Sequence, residues 1–210
     1  RAPQGVRVSG VKVKICGVRD EQTVGVAARA GADFIGVVLV RSSPRYVEPA
    51  QARQLAFAIA DAGAMPVAVV RLPLEPEARQ ALEAFPIVQF HGDETAADLD
   101  AFRLFERWKG LRFSPASAAA WLAGGAAVRL VVDGPEAGSG ERWDLGEFAA
   151  LDGAARSRCL LAGGLDPTNV AAAVRASRPW GVDVSSGVER ARGIKDHARI
   201  AAFIDAAKSA

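Results

Sequence analysis

The chain has 210 residues and a formal net charge of +2, from 26 Lys and Arg against 24 Asp and Glu. Half of it is hydrophobic and 24% is charged, as in a soluble globular protein, and so small and scattered a charge excludes a nucleic-acid or membrane-surface partner. Two distant cysteines, Cys16 and Cys159, form neither a disulfide framework nor a metal knuckle, which fits a cytoplasmic protein, and no apolar run approaches the roughly 18 residues of a membrane helix.

Residues 1–10 lack the apolar centre of a signal peptide and are expected to be an N-terminal extension, disordered or left over from cloning. From residue 11 onward, short β-branched runs alternate with Ala-rich segments. In chain order the patterning predicts strand 11–16, helix 20–30, strand 34–40, helix 49–61, strand 66–71, helix 75–84, strand 87–90 and helix 94–107. It continues with strand 110–113, helix 115–123, strand 127–133, helix 144–151, strand 158–162, helix 167–176, strand 181–185 and helix 196–208. Asp93-Glu94, Ser114-Pro115 and Asp166-Pro167 read as helix starts. Eight β-α units leave no room for a second domain, so residues 11–210 are expected to form one (β/α)8 TIM barrel. The structural rival is an open doubly wound sheet, but no G-x-G-x-x-G follows the first strand.

Side chains alternate faces along a strand, and several predicted strands carry one polar set. Lys12, Lys14 and Cys16 share a face of the first strand, Gln89 and His91 of the fourth, Arg129, Val131 and Asp133 of the sixth, and Asp183 and Ser185 of the eighth. Polar residues inside a barrel are costly unless paired or used, and those at C-terminal strand ends stand where barrel active sites form. Cys16, His91, Asp133, Asp183 and Ser185 meet that condition. Two small-residue turns, Gly163-Gly164 after the seventh strand and Ser185-Ser186-Gly187 after the eighth, occupy the usual phosphate-binding loops of this fold. Each residue also has a plainer reading: Cys16 as a small buried hydrophobe, Asp133 as a cap, His91 as a structural hydrogen bonder, Arg45 as a surface charge, Gly163-Gly164 as a tight turn.

At these positions the sequence resembles the phosphoribosylanthranilate isomerases. The resembling segments are Lys14-Ile15-Cys16-Gly17, Ser43-Pro44-Arg45, Gln89-Phe90-His91-Gly92-Asp93-Glu94, Val131-Val132-Asp133 and Leu161-Ala162-Gly163-Gly164-Leu165. Gly181 to Glu189 and Gly193-Ile194-Lys195-Asp196 follow the family almost letter for letter. The chain departs from the family at Val70-Arg71, at Leu111-Arg112-Phe113, and after the sixth strand, where Glu141 replaces the usual lysine.

The resemblance implies a cofactor-free, metal-free Amadori rearrangement of a small phosphorylated substrate, by a monomer or homodimer. Cys16 would be the general base, Asp133 the general acid and Arg45 the holder of the anthranilate carboxylate. His91 and Asp183 would line the pocket, and Gly163, Gly164, Ser185, Ser186 and Gly187 would bind phosphate. Lys14, two residues before Cys16, is expected to draw the thiol below its ordinary pKa, with Asp183 orienting Lys14; the alternative is a purely structural Lys14–Asp183 ion pair. Two other functions compete: a histidine-pathway aldose–ketose isomerase, which would favour two carboxylates, and a phosphate-binding barrel without chemistry.

Overall fold

A computed structural model of the chain describes residues 10–134 and 145–210; the expected extension up to residue 9 and the segment 135–144, with Glu141 and Trp143, lie outside the described residues. Eight parallel strands pair in sequence order and close into a barrel. They are β1 (Lys12–Cys16), β2 (Phe34–Val38), β3 (Met65–Val70), β4 (Ile87–Phe90), β5 (Glu106–Arg112), β6 (Arg129–Asp133), β7 (Cys159–Ala162) and β8 (Gly181–Val184). The closing pair is β1 with β8, in the register Lys14 to Asp183 and Ile15 to Val184. Around them run α1 (Glu21–Ala30), α2 (Pro49–Asp61), α3 (Pro76–Ala81), α4 (Ala96–Asp100), α5 (Pro115–Gly124), α6 (Leu145–Ala149), α7 (Gly153–Arg156), α8 (Val170–Ser177) and α9 (His197–Lys208). No helix among the described residues is long and apolar enough to cross a membrane.

The alternation read from sequence sorts the core into two layers. Ile15, Ile35, Val88, Phe90, Leu130, Val132 and Val182 face outward and meet Leu55, Ile59, Leu99, Phe148 and Phe203. Each such side chain stabilises the fold by roughly 1.5–3 kcal/mol on burial. The inward set forms a separate plug of Val67, Ile87, Trp108, Val131 and Leu160, against which Phe34 and Trp180 pack. Trp108 meets Phe34 edge-on at 5.0 Å between ring centroids and Trp180 at 6.1 Å, so these two tryptophans are packing residues. Above the plug the inward positions turn polar, and the plug becomes the floor of the mouth.

Three expectations need correction. The fifth strand begins at Glu106 rather than residue 110, and the preceding helix is only Ala96–Asp100 rather than 94–107. The polar stretch Glu106-Arg107-Trp108-Lys109 reads as a helix end, yet Trp108 fills the plug and Lys109 sits between barrel and helices. Lys109 Nζ is 2.8 Å from Glu94 Oε2 and lies over the Trp121 ring. Second, two of the three expected helix starts lie short of the helix. Ser114 caps α5 with Pro115 in the first turn, but Glu94 accepts from the Gly92 and Leu72 amides and Thr95 caps α4 instead. Asp166 likewise stays in a turn, where it accepts from Thr168, and α8 starts four residues later. Third, the patterning assigns no element between strand 181–185 and helix 196–208, but the segment is not without structure. It contains an antiparallel hairpin, β9 (Glu189–Ala191) with β10 (Ile194–Lys195).

Candidate active site

Cys16 and Asp133 end β1 and β6, three strands apart round the barrel, and both face the mouth. Cys16 is 8% exposed, in a small cluster with Val38 and Val69. Directly below it Lys14, fully buried, places its ammonium 2.9 Å from Asp183 Oδ1. A Cβ at Gly36 would stand 3.0 Å from Cys16 Sγ and 3.2 Å from Lys14 Nζ, so the bare glycine of β2 makes room for both.

Electrostatics refine the expectation for Cys16. Burial pushes its thiol pKa up, and the nearby Lys14 ammonium offsets only part of that, so the free protein holds a thiol above its ordinary range rather than below it. Burial also pulls Lys14 down, but the adjacent Asp183 carboxylate leads the effects that outweigh it and keep the ammonium charged. The two readings of the Lys14–Asp183 pair therefore merge: it is a buried ion pair, and it moderates a thiol that would otherwise be harder to ionise.

Asp133 is pushed the other way from an ordinary carboxyl. Burial, and then the negative charge of Asp183, raise its pKa to about 7, with Lys14 opposing. His91 follows β4 directly and stands beside Asp133. Its Nε2 is 3.4 Å from Asp133 Oδ2, and Gln89 Nε2 is 3.2 Å from its Nδ1. Burial lowers the His91 pKa, and the Lys14, Arg71 and Lys109 charges lower it further against Asp183, which favours a neutral ring. Gly110 of β5 makes space for it, since a Cβ there would meet the ring at 2.1 Å.

The two small-residue turns touch. A Cβ on Gly187 would lie 1.9 Å from the Leu165 carbonyl oxygen, so only glycine lets the turn after β8 rest on the turn after β7. Gly163 has φ +78° and Gly164 φ +67°, the left-handed region that disfavours any other residue. Asn169 ties that turn down by donating to the Gly164 carbonyl at 2.8 Å, a role that the later start of α8 leaves open to it. Ser186 is exposed beside the turns, whereas the Ser185 hydroxyl is turned inward and donates to the Cys16 carbonyl at 3.1 Å. An open cavity of about 640 Å³ runs across this end, lined among others by Arg71, His91, Gly110, Asp133, Gly163 and Ser186.

Arg45 is not a free surface charge. It is bound in bidentate fashion by Glu189 of β9, Nε to Oε1 at 2.6 Å and Nη2 to Oε2 at 2.9 Å. Glu189 and its partner Lys195 were missing from the residues singled out in the sequence. The signal was present in the match through Glu189 and Gly193-Ile194-Lys195, but nothing in the pattern says that these residues fold back over the mouth. All ten singled-out residues stand at this one end of the barrel; Cys159, at the start of β7, is fully buried away from it.

A closed eight-stranded parallel barrel whose polar groups and glycine turns gather at the C-terminal ends of the strands is a TIM-barrel enzyme with its chemistry at that mouth. Comparison with known proteins narrows this class. The family model for N-(5'-phosphoribosyl)anthranilate isomerase matches residues 13–206, and the chain belongs to that family. It is 42% identical to an N-(5'-phosphoribosyl)anthranilate isomerase of Bordetella parapertussis, over 94% of this chain and 96% of that protein. Among solved structures, phosphoribosyl anthranilate isomerase from Thermotoga maritima superposes with a TM-score of 0.81 at 30% identity, covering 95% of this chain and all of that one. Another structure of the family, TM-score 0.79 at 29% identity over 95% of this chain and 100% of its own, holds reduced 1-(o-carboxyphenylamino)-1-deoxyribulose 5-phosphate.

Proposed function

We propose that the protein isomerises N-(5-phosphoribosyl)anthranilate to 1-(2-carboxyphenylamino)-1-deoxyribulose 5-phosphate, a step of tryptophan biosynthesis. The observation that carries this reading is the convergence of Cys16, His91 and Asp133 on one mouth in a chain matched by the family from strand to strand. Asp133, half protonated near pH 7, donates a proton to the ribose ring oxygen while the anthranilate nitrogen pushes its electron pair toward C1. The C1–O bond breaks and leaves a Schiff base. Cys16 removes the C2 proton, and the electron pair moves to the nitrogen to give an enolamine. Loss of the O2 proton and protonation at C1 complete the ketone, so the redox change is internal to the sugar.

Restoration of growth to a tryptophan auxotroph lacking this isomerase, together with turnover by the purified protein, tests the assignment; turnover of a histidine-pathway aldose alone would overturn it. The touching turns support phosphate as a main anchor. The reduced product analogue is therefore expected to bind at least ~10-fold more tightly than its dephosphorylated form by calorimetry. Gly187→Ala, which drives a methyl group into the Leu165 carbonyl, is expected to abolish most of that difference while leaving the dephosphorylated compound's affinity unchanged. Equal affinities in the unsubstituted protein would make the turns structural only.

A further inference from the structure

We propose that Glu189 is a positioning residue: it holds Arg45 by one edge of the guanidinium so that the other edge is presented to a carboxylate on the substrate's aromatic ring. The inference rests on the proposed function and goes beyond it by assigning the selection of that carboxylate to a residue of the hairpin after β8.

Glu189 is 8% exposed and each of its oxygens accepts two hydrogen bonds. Oε1 takes Arg45 Nε at 2.6 Å and Lys195 Nζ at 3.0 Å; Oε2 takes Arg45 Nη2 at 2.9 Å and the Gly193 amide at 3.1 Å. Four donors fill the carboxylate, and burial is outweighed by them, so its pKa is drawn down to about 2. It is ionised at any pH where the enzyme would work. Arg45 spends two of its five N–H groups on this contact. The other three, both on Nη1 and one on Nη2, have no partner among the described residues and form the second fork that fits a carboxylate in bidentate fashion.

Two glycines fix the rest of the side chain. A Cβ on Gly17 would lie 2.4 Å from Arg45 Cδ, so the arginine stem lies on the backbone directly after Cys16. A Cβ on Gly193, at φ +79°, would lie 2.6 Å from the Pro44 carbonyl, so the hairpin turn presses on the residue before Arg45. Lys195, shared with Glu189, also donates to the Ser185 carbonyl at 2.9 Å and so ties the same carboxylate to the turn after β8. A guanidinium held at stem and head loses little freedom when a ligand arrives. Neutralising Glu189 has an opposite electrostatic effect, since removing a negative charge beside Arg45 would strengthen attraction of an anion. The sign of the change separates orientation from charge.

Glu189→Gln keeps the shape but replaces one oxygen with a donor, which meets two donors whichever oxygen is lost. Calorimetry would use the reduced product analogue and its phenylamino counterpart lacking the carboxylate. Glu189→Gln is expected to weaken the carboxylate-bearing ligand about 10- to 100-fold, the value of hydrogen bonds to a charged group. The counterpart should change by less than about 2-fold, and Arg45→Gln should remove any further effect of Glu189→Gln. Equal weakening of both ligands would make Glu189 a structural clasp, and unchanged or tighter binding of the carboxylate ligand would leave only its charge; either result overturns the proposal. Should Glu189→Gln fail to fold, Arg45→Lys, which keeps the charge but has no second edge, must show the same selective loss, and an unselective one overturns the proposal. If the unsubstituted protein binds both ligands alike, Arg45 does not read a carboxylate, and the substrate assignment falls together with this inference.

Discussion

Cys16→Ala and Asp133→Asn are each expected to lower kcat by at least ~10²-fold while the barrel still folds. Cys16 is small, and its loss leaves a cavity of one sulfur atom at the mouth. Asp133→Asn removes a carboxyl whose ionisation the folded state disfavours, so it relieves rather than creates electrostatic cost. The same shift gives the expected pH profile its form. The carboxyl titrates near 7 and the thiol above its ordinary range, so the reactive arrangement, with Asp133 protonated and Cys16 ionised, is the minor arrangement of one proton between two sites. The free-enzyme profile of kcat/KM is therefore expected to rise through pH 7 and fall only in the thiol range, although the group titrating near 7 is the acid. A profile that falls through pH 7 would reverse the order of the two groups and overturn the assignment of the shifts. Stability runs the opposite way: a carboxyl whose folded pKa is raised contributes stability below about pH 4 that is lost as pH rises through 7. Asp133→Asn should flatten that loss in urea titrations between pH 4 and pH 8.

Lys14→Met is expected to destabilise the fold by about 3–5 kcal/mol, the cost of leaving a buried charge without its partner. Lys14 is fully buried and Asp183 is 8% exposed, with 2.9 Å between the charged atoms. The isolated Asp183 carboxylate would then face Asp133 as well, whose pKa it already raises. Adding Asp183→Leu to Lys14→Met should recover much of the loss, because the penalty lies in the orphaned charge rather than in the missing bond. Urea midpoints of the single and double variants decide the matter; a single variant within 1 kcal/mol of the parent would contradict the buried-pair account. Where Lys14→Met remains folded, alkylation of Cys16 by iodoacetamide should shift to higher pH, since the ammonium that offsets burial is gone. An unshifted profile would confine Lys14 to a structural role.

The barrel was legible because its strands are fully apolar on the outer face, as at Ile35, Val88 and Val132, and the inner polar set then stands out by alternation. The mouth followed from the same arithmetic, since Cys16, Asp133 and Asp183 fall on inward positions near C-terminal strand ends. Strand β5 was not legible because Glu106-Arg107-Trp108-Lys109 reaches its partners through long side chains. Lys109 finds Glu94 across 15 positions, and a tryptophan in the plug looks no different in sequence from one on a helix. The Glu189 cluster was hidden for a related reason. Hydrophobic periodicity speaks of faces, whereas a two-strand hairpin of mostly charged residues is held by ion pairs whose partners, such as Arg45, lie far away in the chain. The raised thiol pKa was misjudged because spacing shows that Lys14 is near Cys16 but not how little water reaches either.

The bond between Lys14 and Asp183 joins residues 169 positions apart, and it lies in the seam where the first strand meets the last. Neighbouring strands can pair as soon as each β-α unit emerges from the ribosome, but this seam must wait for nearly the whole chain. Until then Lys14 has no counter-charge, the open sheet exposes the edges of β1 and of whichever strand was made last, and the thiol of Cys16 has no closed wall beside it. Contacts of such long range slow folding and lengthen the time for which edges are exposed. The closing step of synthesis is thus also the step that completes the reactive end, and a nascent chain stalled before β8 would hold most of its core yet lack Asp183 and Glu189, the counter-charges of Lys14 and Arg45.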